Sequence, residues 1–238
     1  MRRFAEAFPA GPWTVSTEQL AGWIAARGWA AGTIRSFRAA LASFYRWARR
    51  TGRTDHDPTI DLPKAPRQRL KPRPAPQWVV DQALTTADDR LTLMIHLARH
   101  CGLRRGEIAQ VHTDDLSLED DGWWLTAHGK GAKLRTVPIP ADLVAEVRRW
   151  MRGQQGWLFP GRIAGHMAPA SVGRLISRQL AGKWTAHPLR HRYATEAYAG
   201  SHDLAAVQEL LGHENPQTTR IYVEVGRDAL RRAAAFAA

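Results

Sequence analysis

Cysteine is almost missing from this chain: Cys101 stands alone among 238 residues. No disulfide can form within it, which excludes a small scaffold held together by cross-links and argues against an oxidising compartment. Cys101 lies in the run LMIHLARHC, an apolar setting where a buried thiol is the ordinary state. Long hydrophobic runs are missing too. No stretch reaches the roughly 20 apolar residues that a membrane-spanning helix needs, and no basic-apolar-small signal pattern opens the chain. The expectation is a soluble, cytoplasmic protein with no membrane partner. Acid is the third scarcity: 22 Asp and Glu face 34 Lys and Arg, a net charge of +12. That balance points to an anionic partner, either nucleic acid or a lipid surface.

What is present is enough apolar content, 44%, to bury a core in one large domain or two small ones. The charge is uneven: residues 1–73 hold 14 Lys and Arg against 5 acids, leaving 20 against 17 for the remainder. Between Asp57 and Pro76 the stretch DPTIDLPKAPRQRLKPRPAP carries six prolines and several bases, which rules out a helix or central strand and reads as an extended basic linker. The expected division is a helical domain over 1–60, a basic linker over 61–76 and a second domain over 77–238.

In the first domain Ser16 to Gln19 has the spacing of a capping box, and LAGWIAARG continues as a short helix closed near Gly28. A longer helix is expected from Ala31 to Arg50. There Ile34, Phe37, Leu41, Phe44, Tyr45 and Ala48 share one face, while Arg35, Arg38, Arg46 and Arg49 recur on another. The cationic row is either a solvated face or a surface for phosphate. The lack of interspersed acid leaves its self-repulsion uncompensated without an anion.

Beyond the linker the pattern predicts helices near 77–87 and 89–101, the second capped by Asp88 or Asp89 and stopped at Gly102. Over 116–137 the period changes. LSL, WWLTA and KLRTVPI read as short strands, with DDG and HGKGA as turns, which puts Lys130 in a hairpin. Helical spacing then returns near 141–152, 169–181, 188–199, 203–211 and 216–223, followed by an Ala-rich stretch. The second domain should be mainly α with a small antiparallel β-sheet.

Breaking a phosphodiester without a metal requires a nucleophile, cations on the non-bridging oxygens and an acid for the departing oxygen. His187, Pro188 and Arg190 open a predicted helix, with proline suited to the first helical position and the His and Arg on one side beside free amides. An HxxR pair alone is more often structural. His187 and His191 have the i, i+4 spacing of zinc ligands, but no Glu follows His187. In VQELLGHENPQTTRIYV a helix ends at Gly212, His213 follows, and Asn215 with Pro216 starts a segment bearing Tyr222. Read singly, that Tyr is a core aromatic and that His a helix cap.

Taken together and in order, GLRRGEI at 102–108, GKGAKLRTVPI at 129–139, HPLRHRYAT at 187–195 and LLGHENPQTTRIY at 210–222 resemble the tyrosine recombinase family, which includes phage integrases, the Xer proteins and Cre. The resemblance implies a two-domain DNA clamp, a helical core-binding domain plus a catalytic domain, encoded by a bacterium or a phage. It makes Arg104 and Arg190 the clamp on the scissile phosphate, Lys130 the general acid, His187 a proton-transfer residue, His213 a phosphate ligand and Tyr222 the nucleophile. Glu107 supports Arg104. The DNA-binding residues would be Arg35, Arg38, Arg46, Arg49, Lys71 and Arg73. It further implies double-stranded DNA as partner, no cofactor and no metal, and a homotetramer on synapsed DNA from a free monomer or dimer. In that assembly the segment Ala229–Ala238 docks into a neighbour through Leu230 and Phe236, or packs within its own chain. The N-terminal AAGTIRSFRAALASFYRWA segment also resembles the family, though about 70 residues leave no room for a separate arm-binding domain. The rivals are a type IB topoisomerase and a non-catalytic DNA-binding regulator.

Overall fold

Two stretches of helical periodicity, one on each side of the proline-rich segment, build separate cores in the computed structural model, which describes residues 2–64, 74–129, 131–182 and 184–212. The chain divides into the units Met1–Leu70 and Lys71–Ala238.

The first unit holds α1 (Arg2–Ala7), α2 (Thr17–Ala25) and α3 (Ala31–Arg50). Helix α2 starts where Ser16 Oγ accepts the Gln19 amide at 3.2 Å and Gln19 Oε1 accepts the Ser16 amide at 2.9 Å, so two end amides are satisfied reciprocally. The apolar face of α3 turns Leu41, Tyr45 and Ala48 inward, and Leu41 and Tyr45 pack with Phe4, Leu20, Ile24 and Leu62. The Tyr45 hydroxyl donates to the Pro12 carbonyl at 2.6 Å, and burial pushes its pKa up to about 12. On the other face Arg35, Arg46 and Arg49 are exposed. Arg38 sits at the seam, half-buried, and its Nη2 donates to the Leu62 carbonyl at 2.9 Å, so part of its bonding capacity is used inside the unit.

The second unit is ordered α4 (Gln77–Thr85), α5 (Asp89–His100), α6 (Arg105–Ala109), β1 (Leu116–Glu119), β2 (Gly122–His128), β3 (Leu134–Pro138), α7 (Ala141–Met151), β4 (Pro160–Ile163), α8 (Pro169–Gln179), α9 (Ala186–Ser201) and α10 (Leu204–Leu211). Asp88 caps α5 by accepting the Leu91 amide at 2.7 Å. Leu93, Met94, Ile95, Leu97 and Ala98 of α5 are all buried, a near-continuous apolar surface that only a central helix can use. It packs against α7, α8 and α9. Strands β1, β2 and β3 form one antiparallel sheet in that order, with Leu125 opposite both Leu116 and Val137. Leu125, Ala127 and Val137 point into the core by the period of two. The lone Cys101 is buried, and desolvation pushes its thiol up to about 12.

The structure is thus mainly helical with a small antiparallel sheet, and it departs from the sequence reading at short elements. Helices α1 and α6 and strand β4 were not anticipated, because six, five and four residues are too few to display a period. The helix expected near 188 begins at Ala186, which places Pro188 third rather than first. Every amide of a first helical turn lacks an internal partner, so proline is accommodated there as well. Predicted segments at 216–223 and Ala229–Ala238 lie outside the described residues. Among the described residues no helix is long and apolar enough to cross a membrane.

Because Leu97 is fully buried at the centre of this packing, Leu97→Ala should destabilise the second unit by about 2–5 kcal/mol. The check is a lowered urea midpoint with an unchanged denaturant slope.

Candidate active site

Arg104 is the N-cap residue of α6, and the cap works backwards from Glu107, three residues on. Glu107 Oε2 accepts the Arg104 backbone amide at 2.8 Å, and Oε1 accepts Arg104 Nη1 at 2.7 Å. The same carboxylate receives Arg135 Nη2 at 2.7 Å, from β3, and lies 3.6 Å from Arg190 Nη1, from α9. Glu107 is 3% exposed and its neighbour Arg190 is 1% exposed. Burial alone would push the carboxyl's pKa up. The charge of Arg135, the Arg104 amide, the charge of Arg190 and the Arg104 guanidinium outweigh it in that order, so the net shift is downward.

Three guanidinium groups around one carboxylate leave a positive excess, and α10 answers it. Its C-terminus, the negative end of the helix dipole, presents three consecutive carbonyls. Leu210 accepts Arg135 Nη1 at 2.6 Å, Leu211 accepts Arg190 Nη2, and Gly212 accepts Arg104 Nη2 at 3.4 Å. Arg190 Nη1 also donates to the Gly102 carbonyl at 2.5 Å. Both glycines are required. Gly102 has φ +60 and its missing Cβ would meet the Tyr193 ring at 2.5 Å; Gly212 has φ +57 and its missing Cβ would meet Arg135 Cδ at 2.6 Å.

Arg104, with 43% of its side chain exposed, is the cation of this group that solvent reaches most freely. His187, also at the surface, has its ring 4.3 Å from that of His191, edge to face. Surrounding protein removes water from His187, and Arg190 and Arg104 repel a proton from it, so its pKa is lowered. The uncharged imidazole is therefore favoured over the imidazolium. Among the described residues no group of three or more His, Cys, Asp and Glu side chains is placed to hold a metal ion.

The structure therefore brings Arg104 and Arg190, together with Arg135, onto the one carboxylate of Glu107. Lys130, Lys71, Arg73, His213 and Tyr222 lie outside the described residues. By sequence Lys130 falls in the β2–β3 connection, and His213 directly follows the glycine that ends α10.

A model of the phage integrase family matches residues 76–228. The chain belongs to the phage integrase family. The relatives of this chain include the tyrosine recombinase XerC of Azotobacter vinelandii, 33% identical over 215 residues that cover 84% of this chain and 71% of that protein. They also include the tyrosine recombinase XerD of Pseudomonas aeruginosa, 31% identical over 233 residues, 88% and 76%. The integrase of mycobacterium phage Brujita is 30% identical with a TM-score of 0.55, covering 98% of this chain and 81% of that one. The recombinase XerH bound to its difH substrate shares the fold at a TM-score of 0.76 and 22% identity, covering 98% and 76%. The chain is accordingly a tyrosine-type site-specific recombinase.

Sequence reading missed one member of the site. Arg135 lies inside the quoted GKGAKLRTVPI block but was not singled out. Its signal was there: on a strand, position 135 shares a face with the buried Val137, and a cation on a core-facing position needs a buried anion.

Glu107→Ala should leave three cations around an empty space and cost about 3–5 kcal/mol, with Glu107→Gln less severe, measured by chemical denaturation at pH 7. The folded-state pKa is depressed, so the stability contributed by Glu107 is present above the ordinary value of 4.5 and lost as pH falls through the lower folded value. The acid limb of a stability profile should flatten in Glu107→Gln.

Proposed function

We propose that this recombinase cuts and rejoins double-stranded DNA at a specific site through a 3′-phosphotyrosyl intermediate, with Tyr222 as the nucleophile. The observation that carries the reading is the convergence of Arg104 and Arg190 on the buried Glu107, within a chain whose family match extends across all four motif blocks.

The Tyr222 oxygen attacks the scissile phosphorus, its proton passing to the neutral His187. The bond to the 5′ oxygen breaks and Lys130 protonates that leaving group. Arg104 presents a planar fork to the non-bridging oxygens, held in orientation by Glu107 along one edge. His213 completes the contacts to the phosphate, and Arg190, 1% exposed and held by the Gly102 and Leu211 carbonyls, contributes its positive charge from within the cluster. A 5′ hydroxyl of the partner duplex then attacks the phosphotyrosine and restores the phosphodiester. One ester is exchanged for another, so the cycle needs no nucleotide.

In this reading the first unit is the core-binding half of a clamp. The exposed row Arg35, Arg46 and Arg49, with Arg38, Lys71 and Arg73, supplies phosphate contacts whose affinity falls with salt. The synapsed form in this reading is a homotetramer, with Ala229–Ala238 docking into a neighbour or packing within its own chain.

The target is found by sequencing host DNA trapped covalently on the protein, and a nicked duplex of that sequence then serves as substrate. Wild-type protein should form a covalent protein–DNA band and Tyr222→Phe none. A band persisting in Tyr222→Phe excludes Tyr222. Relaxation of a plasmid lacking the site would indicate topoisomerase action instead. Arg104→Ala should slow cleavage by about 10²–10³-fold, the loss of about 3–4 kcal/mol seen when one oxyanion donor is removed, with a much smaller change in DNA affinity.

His187 must be unprotonated to accept the phenolic proton, and its pKa is lowered from 6.5. The acid limb of the cleavage profile should therefore lie below pH 6.5 and move upward in Arg104→Ala, which removes one of the repelling charges. An unmoved limb in that variant would remove His187 from the proton path.

A further inference from the structure

We propose that Arg135 is a positioning residue for strand cleavage: it locks the end of α10 to Glu107 and thereby sets the geometry of both Arg104 and Arg190. The inference rests on the recombinase reading above and adds a residue to it.

The Arg135 side chain is 12% exposed, so it is not a surface cation waiting for DNA. Its two terminal nitrogens face in different directions. Nη2 reaches Glu107 Oε2 at 2.7 Å and Nη1 reaches the Leu210 carbonyl at 2.6 Å. Each acceptor leads to one of the two arginines. Glu107 holds Arg104 by two contacts. Leu210 adjoins Leu211, whose carbonyl holds Arg190, and Gly212, whose carbonyl meets Arg104. One planar group thus sets the separation between the carboxylate that orients one arginine and the helix end that orients both.

The surroundings are built for this side chain. Position 135 pairs across the sheet with Ala127, a small, buried residue that leaves space for a guanidinium on the core face. Gly212, at φ +57, brings its Cα against the Arg135 stem, where an added Cβ would lie 2.6 Å from Cδ and 3.1 Å from Nε. The stem therefore occupies the volume that any other residue at 212 would need. Arg135 also follows the β2–β3 connection that carries Lys130, so the strand delivering the proposed general acid is tied to the element that leads into His213 and Tyr222.

A lysine keeps the charge but offers one compact ammonium in place of a two-pronged plane. It can serve Glu107 or Leu210, not both in the observed geometry. The charge that keeps Glu107 ionised survives while the spacing is lost.

The test uses full-length protein and the nicked duplex built on the trapped sequence, reading three quantities for wild type, Arg135→Lys and Arg135→Ala: single-turnover cleavage rate, DNA affinity and melting temperature. Arg135→Lys should melt within a few degrees of wild type, bind DNA within about threefold and cleave at least about 30-fold more slowly, a split expected of a residue acting only on the transition state. Millimolar methylguanidinium should restore part of the rate to Arg135→Ala, since the vacated space fits the missing group. Arg135→Lys cleaving within about threefold of wild type would overturn the proposal. Parallel losses of melting temperature, affinity and rate, with no chemical rescue, would overturn it too, by showing a purely structural role. If Arg135→Ala does not fold, Arg135→Lys decides alone. Failure of wild type itself to form the covalent band would refute the recombinase reading, whereas a normal band from both wild type and Arg135→Lys refutes only the role of Arg135.

Discussion

A carboxylate withdrawn from water is tolerated only when its oxygens are occupied by donors of opposite charge, and Glu107 meets that condition with contacts from three separate parts of the chain. One oxygen binds the Arg104 side chain; the other takes the Arg104 amide and Arg135, with Arg190 close by. The ordering of the site follows from this. Arg104 precedes α6, Arg135 lies on β3 and Arg190 on α9, and no pair of these elements would hold two guanidinium groups together without the shared anion. The energy of such an arrangement is asymmetric: the complete set stands close to balance, while removal of a single partner leaves a buried charge without compensation.

The end of α10 is the second half of the same constraint. A helix terminus leaves carbonyls without internal donors, and here the arginines supply them. The excess positive charge around Glu107 and the negative end of α10 satisfy each other, so an arginine cluster and a helix cap are one object. The two glycines fit this account. Gly102 yields its side-chain space to Tyr193, and Gly212 yields its space to Arg135, which lets backbone carbonyls approach groups that a larger residue would hold off.

Much of this was legible in the residues, for reasons that can be named. The capping box at Ser16 and Gln19 and the cap at Asp88 are local and depend on neighbours a few positions away, so sequence spacing is enough to read them. The alternation through Leu125, Ala127 and Val137 and the amphipathic face of α3 are equally local. What escaped was either too short for a period, as with α6, or held by distant partners. Arg190 was expected beside His187 at a helix entrance; its burial against Gly102 and Leu211 depends on elements 88 and 21 residues away. The half-burial of Arg38 depends on Leu62 in the same way. Arg135 was hidden by its position in a motif already explained by its lysine, although its place on the inward face of β3 was a readable sign.

The carbonyls of Leu210, Leu211 and Gly212 come near the end of the described chain, while the side chains that hold them come from residues 104, 135 and 190. During synthesis those cations emerge from the ribosome first, and until α10 follows they surround Glu107 with a surplus of like charge and no helix end to absorb it. The contacts that join Arg104, Arg135 and Arg190 to the end of α10 therefore form only once residues 204–212 have been made.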